Sequence, residues 1–453
     1  MIDNVNAREV VLTMLLEVIE ENKYSHTVLN QTLRSYQRLE KQERAFISRL
    51  FHGTVKIYIT LDYIIDQYST LPSQKMKPLI RNLLRMSVYQ LKYMDQVPVS
   101  AVCNEAVKLA KKRGFSKLSG FVNGILRNIA REEKAIVYPD PHNNPVSFLE
   151  ITYSYPKWLV EELLKQYDFL VVEAMLRASL QEKETTIRCN QLKITPKQLE
   201  ELLIKECVTV KENEYLDYAF KISDYDYLEK LDSFTKGYFT VQDVSSMLVC
   251  EIAGIKKEDF VVDVCAAPGG KALHAAEQAG NVSARDLTQY KTNLIEENIR
   301  RMGFTNVKTK VWDATLLDES IVDQADVVIA DLPCSGMGVF GKKSDIKYQL
   351  RKEQLEDLVK LQRKILTVVQ SYVKEGGVLI FSTCTVNGKE NQENRDWFLK
   401  EFNFLPEDLD THLPESLKSD TTKEGYLQLL PGIHASDGFF ISKYRKKSSS
   451  LKN

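Results

Sequence analysis

From residue 260 onward one pattern repeats: a short apolar run closes on a polar or reactive side chain, and a helical stretch follows. F-V-V-D-V-C-A-A (260–267) precedes K-A-L-H-A-A-E-Q-A, and N-V-S-A-R-D-L (281–287) precedes a long helical stretch from Tyr290 to Met302. V-K-T-K-V-W-D-A (307–314), A-D-V-V-I-A-D-L (325–332) and G-G-V-L-I-F-S-T-C (376–384) continue the series, with a helical stretch near 351–373 before the last. Unbroken apolar runs suit strands covered on both faces, and parallel neighbours need a crossover between them. The pattern predicts a parallel, doubly wound α/β sheet, Rossmann-like in architecture, over 236–453. Ligands of such a sheet bind outside the carboxyl ends of its strands. The residues that close each run are therefore the candidates for chemistry.

The start of the chain is different. Ala7, Val10, Val11, Met14, Leu15, Val18 and Ile19 form one stripe at helical spacing, and similar stripes run through 45–55, 79–91 and 120–129. Strand signals are scarce, which predicts an all-α bundle over 1–140. Y-P-D-P-H-N-N-P (138–145) reads as a seam. Residues 141–235 mix helical pieces with short strands such as T-T-I-R-C-N (185–190), and read as a linker and small α+β domain. No apolar run reaches the roughly 20 residues of a membrane span. M-I-D-N-V-N-A-R-E-V carries charges where an export signal needs an apolar core. The seven cysteines are scattered without a C-x-x-C pair, which argues against a disulfide framework and a zinc site. The expectation is a cytoplasmic protein with reduced thiols, no membrane association and no metal. K-K-S-S-S-L-K-N at the end is a polar tail.

After the first strand come Asp263 and then Cys265, Ala266, Ala267, Pro268, Gly269, Gly270 and Lys271. Small residues and two glycines at a helix start let the backbone approach a ligand closely. The run is neither G-x-G-x-x-G nor a phosphate loop ending in G-K-[ST], which disfavours a pyrophosphate. Asp286, 23 residues beyond Asp263, is placed to accept hydrogen bonds from ribose hydroxyls, and Asp313 to meet an adenine edge. A ribose, an adenine, a cationic methionine end and no pyrophosphate together describe S-adenosylmethionine.

Two cysteines close the last two runs: Cys334 in D-L-P-C-S-G-M-G and Cys384 in S-T-C-T. With C-A-A-P-G-G-K, F-T-V-Q-D-V-S-S (239–246), S-D-I-K-Y (344–348) and D-G-F-F (437–440), they make residues from about 180 to 445 resemble the RNA 5-methylcytosine methyltransferases. The helical start is similar to the RNA-binding fold of the antitermination factor NusB. The resemblance implies methyl transfer from S-adenosylmethionine to C5 of a cytosine in 16S ribosomal RNA, naked or in an early assembly particle, by a monomer. It implies Cys384 as nucleophile, Cys334 as the thiol that assists release, and Asp331 at the cytosine N3/N4 edge. Cofactor contacts would come from Asp263, residues 265–271, Asp286, Asp313 and Asp331. The chemistry accounts for these residue types. C5 of cytosine is a poor nucleophile until a thiolate adds to C6; a base must then remove the C5 proton before elimination frees the enzyme. Leu332 stands where the family commonly has alanine, and Gly341 where it often has arginine; neither change touches the cysteines.

A net charge of −1 leaves no whole-chain footprint for nucleic acid, so positive charge must be local. Lys111, Lys112, Arg113, Arg188, Lys342, Lys343 and Lys347 are the expected RNA contacts, lying along one face. Cys103, Cys189, Cys207, Cys250 and Cys265 read as small buried hydrophobes. Transfer RNA is the nearest rival substrate. An amino-group methyltransferase would close its fourth strand with N/D-P-P-Y/F rather than D-L-P-C, and a second cysteine would go unused. A non-catalytic RNA-binding module would have no use for the full set of catalytic residues.

Overall fold

The computed structural model describes residues 5–36, 39–131 and 135–448. The first four residues and the end of the polar tail, 449–453, lie outside the described residues. The chain forms two compact units, Met1–Gln181 with Phe340–Leu350, and Glu182–Val339 with Arg351–Asn453.

The first unit is helical. Ala7–Leu15, Ser25–Ser35, Lys41–Lys56, Tyr58–Tyr68, Pro78–Tyr93, Val99–Lys112 and Ser119–Arg131 cover the expected bundle. Asn6 accepts from the Glu9 amide, and Pro78 takes a first-turn position where its missing N–H costs nothing. Val11, Met14, Leu15 and Val18 of the expected stripe are buried; so is Leu12, which the stripe left out. The seam carries no helix or strand over 135–144. The three helices after it, Pro145–Tyr153, Lys157–Leu164 and Phe169–Leu180, belong to this same unit. The contacts thus divide after Gln181, not at the seam.

Residues 340–350 complete the helical unit through polar groups matched to helix ends. The Asp345 carboxylate accepts from the Ser25 amide (2.9 Å) and hydroxyl (2.7 Å), where helix Ser25–Ser35 begins. Lys347 Nζ, whose pKa burial pushes well below its ordinary value, donates to the carbonyls of Lys56 (2.9 Å) and Tyr153 (3.5 Å), which close two other helices. The Tyr348 hydroxyl donates to the Lys56 carbonyl at 2.9 Å.

The second unit holds two sheets. β1 (Thr185–Cys189), β2 (Thr209–Glu212), β3 (Ala219–Ser223) and β4 (Phe239–Val241) form an antiparallel sheet in the order β2-β3-β1-β4. The larger sheet contains β5 (Phe260–Asp263), β6 (Asn281–Asp286), β7 (Val307–Val311), β8 (Ala325–Asp331), β9 (Val373–Thr383), β10 (Phe404–Pro406), β11 (Tyr426–Leu429) and β12 (Phe439–Lys446). Its order is β10-β12-β9-β8-β5-β6-β7, with β11 paired to β12. β5 through β9 run parallel, and β12 is antiparallel to β9. Val261, Ile329 and Ile380 pack into one core, and Val262, Val328 and Leu379 into another on the opposite face. This burial on both faces is why these strands read as unbroken apolar runs. The direction of winding reverses at β5, between β6 and β8, which opens a crevice at the carboxyl edge. The expected doubly wound sheet and small α+β part are both present.

Candidate active site

The run-closing residues gather at the carboxyl edge of the large sheet. Asp263 ends β5, Asp286 ends β6 and Asp331 ends β8; Cys384 follows the last residue of β9. Asp313 stands two positions beyond the end of β7.

On the β5–β7 side, carboxylates are held by backbone. Asp286 accepts from the amides of Ala267 (2.9 Å) and Leu287 (2.7 Å), with the Lys291 ammonium at 3.0 Å. Asp313 accepts from the Thr315 amide at 2.8 Å, and this bond holds its carboxyl below the usual range. Gly269 has φ +108°, which a side chain would strain, and the helix Gly270–Ala276 begins directly after it. Asp263 is fully buried; one oxygen accepts weakly from the Cys265 amide (3.4 Å) and the other has no partner. Burial pushes this carboxyl up to about 7, with Lys271 opposing the rise and Asp331 adding to it. A buried, unpaired acceptor beside a turn of small residues and two glycines suits a cationic ligand group. The residues present fit S-adenosylmethionine.

On the β8–β9 side the two sulfurs of Cys334 and Cys384 lie 3.3 Å apart. Both cysteines are partly exposed. The Cys384 sulfur, and then desolvation, push the Cys334 thiol well above its ordinary value. Lys271 Nζ meets Asp331 Oδ2 at 2.6 Å, and the Ser382 hydroxyl donates to Asp331 Oδ1 at 2.9 Å. Burial works against the Lys271 ammonium, but Asp331, Asp263 and Cys384 outweigh it and raise its pKa. The two thiols therefore differ in character. Cys334 is held toward its neutral form, while Cys384 lies in the field of the Lys271 ammonium.

Four residues of this site went unread in the sequence: Ser335, Gln362, Thr385 and Glu390. The Ser335 hydroxyl lies 2.7 Å from that of Thr385 and donates to Glu390 at 2.5 Å. Glu390 also accepts from the Ser335 amide (2.9 Å), Gln362 (3.0 Å) and Asn387 (3.0 Å). Gln362 donates to the Pro333 carbonyl at 2.9 Å as well. The available signal is T-V-N-G-K-E-N-Q-E-N directly after Cys384, a run whose Asn387, Glu390, Asn391 and Asn394 are wholly buried. So many polar side chains in one interior must bond to each other.

The basic residues separate. Lys111, Lys112, Lys342 and Lys343 are exposed and Arg113 is half-buried, but Lys112 and Arg113 both pair with Glu9, at 2.6 and 3.3 Å. Arg188 and Lys347 correct the expectation of RNA contacts. Arg188 is 0% exposed, donates to Gln242 at 2.8 Å and pairs with Glu277. Lys347 is 1% exposed and spends its Nζ on helix carbonyls. Neither presents its charge to a phosphate. Among the other cysteines, Cys103, Cys189 and Cys250 are buried as expected, Cys265 is partly exposed, and Cys207 is exposed, at φ +61°. Among the described residues no cluster of three or more His, Cys, Asp and Glu is suited to a metal, and no helix is long and apolar enough to cross a membrane.

Comparison with known proteins covers 98% of the chain. Residues 5–131 match the NusB family, 155–226 the Methyltr_RsmF/B-like ferredoxin-like domain, and 252–445 the family described as 16S rRNA methyltransferase RsmB/F. The chain is similar to the probable ribosomal RNA small subunit methyltransferase B of Bacillus subtilis (strain 168), with 35% identity over 98% of this chain and 99% of that one. The crystal structure of PH0851 shares the fold, with a TM-score of 0.81 at 24% identity over 98% of this chain and 99% of its own. So does NSun6 from Pyrococcus horikoshii, solved with SFG, with a TM-score of 0.59 at 23% identity over 66% of this chain and 100% of its own.

Proposed function

We propose a function from one premise: this chain belongs to the 16S rRNA methyltransferase RsmB/F family. It is an S-adenosylmethionine-dependent ribosomal RNA methyltransferase. The finer reading is methyl transfer to C5 of one cytosine in 16S ribosomal RNA through a covalent bond between Cys384 and C6. One observation carries it: two sulfurs 3.3 Å apart at the carboxyl edge of the sheet, with a lysine–aspartate pair beside them. A single thiol would serve attack alone; the second supports a separate release step.

A cytosine within structured RNA must first be unstacked to bring C6 to a protein thiol. The Cys384 thiolate then bonds to C6, and the C5–C6 π electrons shift through the ring toward N3. Asp331, at the end of β8, would accept from the N4 amine and relay to N3 a proton drawn from the Lys271 ammonium that it holds at 2.6 Å. When bound, S-adenosylmethionine supplies the electrophilic methyl group that C5 attacks. Loss of the C5 proton to a base such as water re-forms the C5–C6 double bond as the C6–sulfur bond breaks, Cys384 regains its electrons, and N3 returns the proton it had taken. Cys334, kept neutral and 3.3 Å from the leaving sulfur, assists that release.

Denaturing gels of enzyme, cofactor and 16S transcript test the assignment. Cys334→Ala is expected to accumulate a protein–RNA adduct and Cys384→Ala to form none. Methylation by Cys384→Ala, or the opposite pattern of adducts, rejects the assignment. Bisulfite sequencing of RNA from a deletion strain identifies the target: loss of one 16S cytosine methyl supports ribosomal RNA, and loss confined to transfer RNA replaces it.

A further inference from the structure

The loop that carries Cys334 has left β8 and has no sheet partner at that point, so other groups must hold its backbone. Two buried side chains do this. Gln362 donates to the carbonyl of Pro333, just before the cysteine, and Glu390 accepts the amide of Ser335, just after it. Gln362 also donates to Glu390, so the two clamps are one unit. The hydrogen bonds have a direction. A carboxylate only accepts, and all four neighbours of Glu390 donate: the Ser335 amide and hydroxyl, Gln362 and Asn387. With the Ser335 hydroxyl proton committed to Glu390, its oxygen is free to accept from Thr385 at 2.7 Å. Ser335 and Thr385 each follow one of the two cysteines. The relay Thr385 to Ser335 to Glu390 therefore ties the two cysteine loops together one residue beyond the sulfurs.

We infer that Glu390 is a positioning residue that sets the spacing of the Cys334 and Cys384 sulfurs by fixing Ser335 and, through it, Thr385. It touches neither substrate nor cofactor; its effect on turnover is indirect and rests on the two-cysteine reaction proposed above. Sulfur–sulfur spacing can be read without any RNA. Diamide takes up the two thiol hydrogens and becomes the hydrazine as a disulfide forms. The rate of the 334–384 crosslink, followed by peptide mass mapping, thus reports how well the sulfurs are aligned.

Glu390→Gln keeps the shape but turns one acceptor into a donor facing a donor. The expected result is a crosslink slowed about tenfold or more, the scale on which small misplacements of reacting groups act. In the RNA reaction the same variant should lose kcat with KM for RNA retained, and accumulate the adduct seen with Cys334→Ala. Should Glu390→Gln fail to fold, Ser335→Ala carries the test, since it removes the hydroxyl relay and leaves the backbone amide on Glu390. Crosslinking and release at the unsubstituted rates in the folded variant overturn the inference. Slowed crosslinking with no adduct even in Cys334→Ala keeps the positioning role and rejects the two-cysteine reaction. Adduct in Cys334→Ala, beside unsubstituted behaviour of Glu390→Gln, does the reverse.

Discussion

The two halves of the sheet edge hold their reactive groups by different means. Beyond β5–β7, Asp286 and Asp313 rest on backbone amides, and Asp263 keeps one buried oxygen unpaired. Beyond β8–β9, the cysteine loops are fixed by side chains bonded to side chains, with Glu390 at the centre. Backbone donors survive almost any substitution, while a side-chain network fails when one member changes. The cofactor half should be tolerant and open to a ligand; the cysteine half should be brittle and already satisfied.

Lys271 breaks the comparison most severely, because it starts on the cofactor turn and ends on Asp331. Lys271→Met leaves Asp331 with Ser382 alone and takes the cation from the field of Cys384. Single-turnover methylation is expected to fall about a hundredfold or more, the scale for losing one oriented charge from an active site. A fall of only a few-fold would reduce Lys271 to a packing residue.

Asp263 sharpens the comparison through pH. Burial pushes its carboxyl up to about 7, above an unfolded value near 4, so ionisation opposes folding. In the ligand-free protein this group costs stability progressively as pH rises from about 4 to about 7, with no further change above. A cationic ligand group favours the ionised form. Affinity for S-adenosylmethionine, relative to that of Asp263→Asn, should climb up to about tenfold per pH unit below 7 and level off above it. Calorimetric titration of both proteins across that range gives the ratio; a flat ratio removes Asp263 from the cationic end.

The smallest effect belongs to the backbone-held side. Lys291 lies 3.0 Å from Asp286 but is half exposed, and two amides remain when it is lost. Lys291→Met should change cofactor affinity by less than about threefold, as expected of an exposed ion pair. A larger loss would show that Asp286 depends on a side chain after all.

The same contrast explains what was legible in the sequence. Asp263, Asp286, Asp331 and Cys384 were readable because a strand run is local, and its closing residue has a place in the fold by virtue of the run. Glu390 and Gln362 were not, because they meet Ser335 across 55 residues and Pro333 across 29, and the polar run after Cys384 does not say which partners it meets. Arg188 and Lys347 failed for a related reason. A charge in a sequence reads as solvated, while burial is decided by partners elsewhere: Glu277 and Gln242 for one, two helix ends for the other. Cys207 misled in the opposite sense, since a small hydrophobe is also tolerated at an exposed left-handed turn.

The placement of residues 340–350 has a consequence for how the protein can be divided. The helical unit borrows an eleven-residue piece from the middle of the other unit's sequence, and that piece closes three helix ends. A break after Gln181 therefore releases a bundle that lacks its own last part, and a catalytic fragment that carries a strip made for another surface. No single cut in this chain yields two whole pieces; the chain would have to be opened at 181, 339 and 350 to separate what folding has sorted into two.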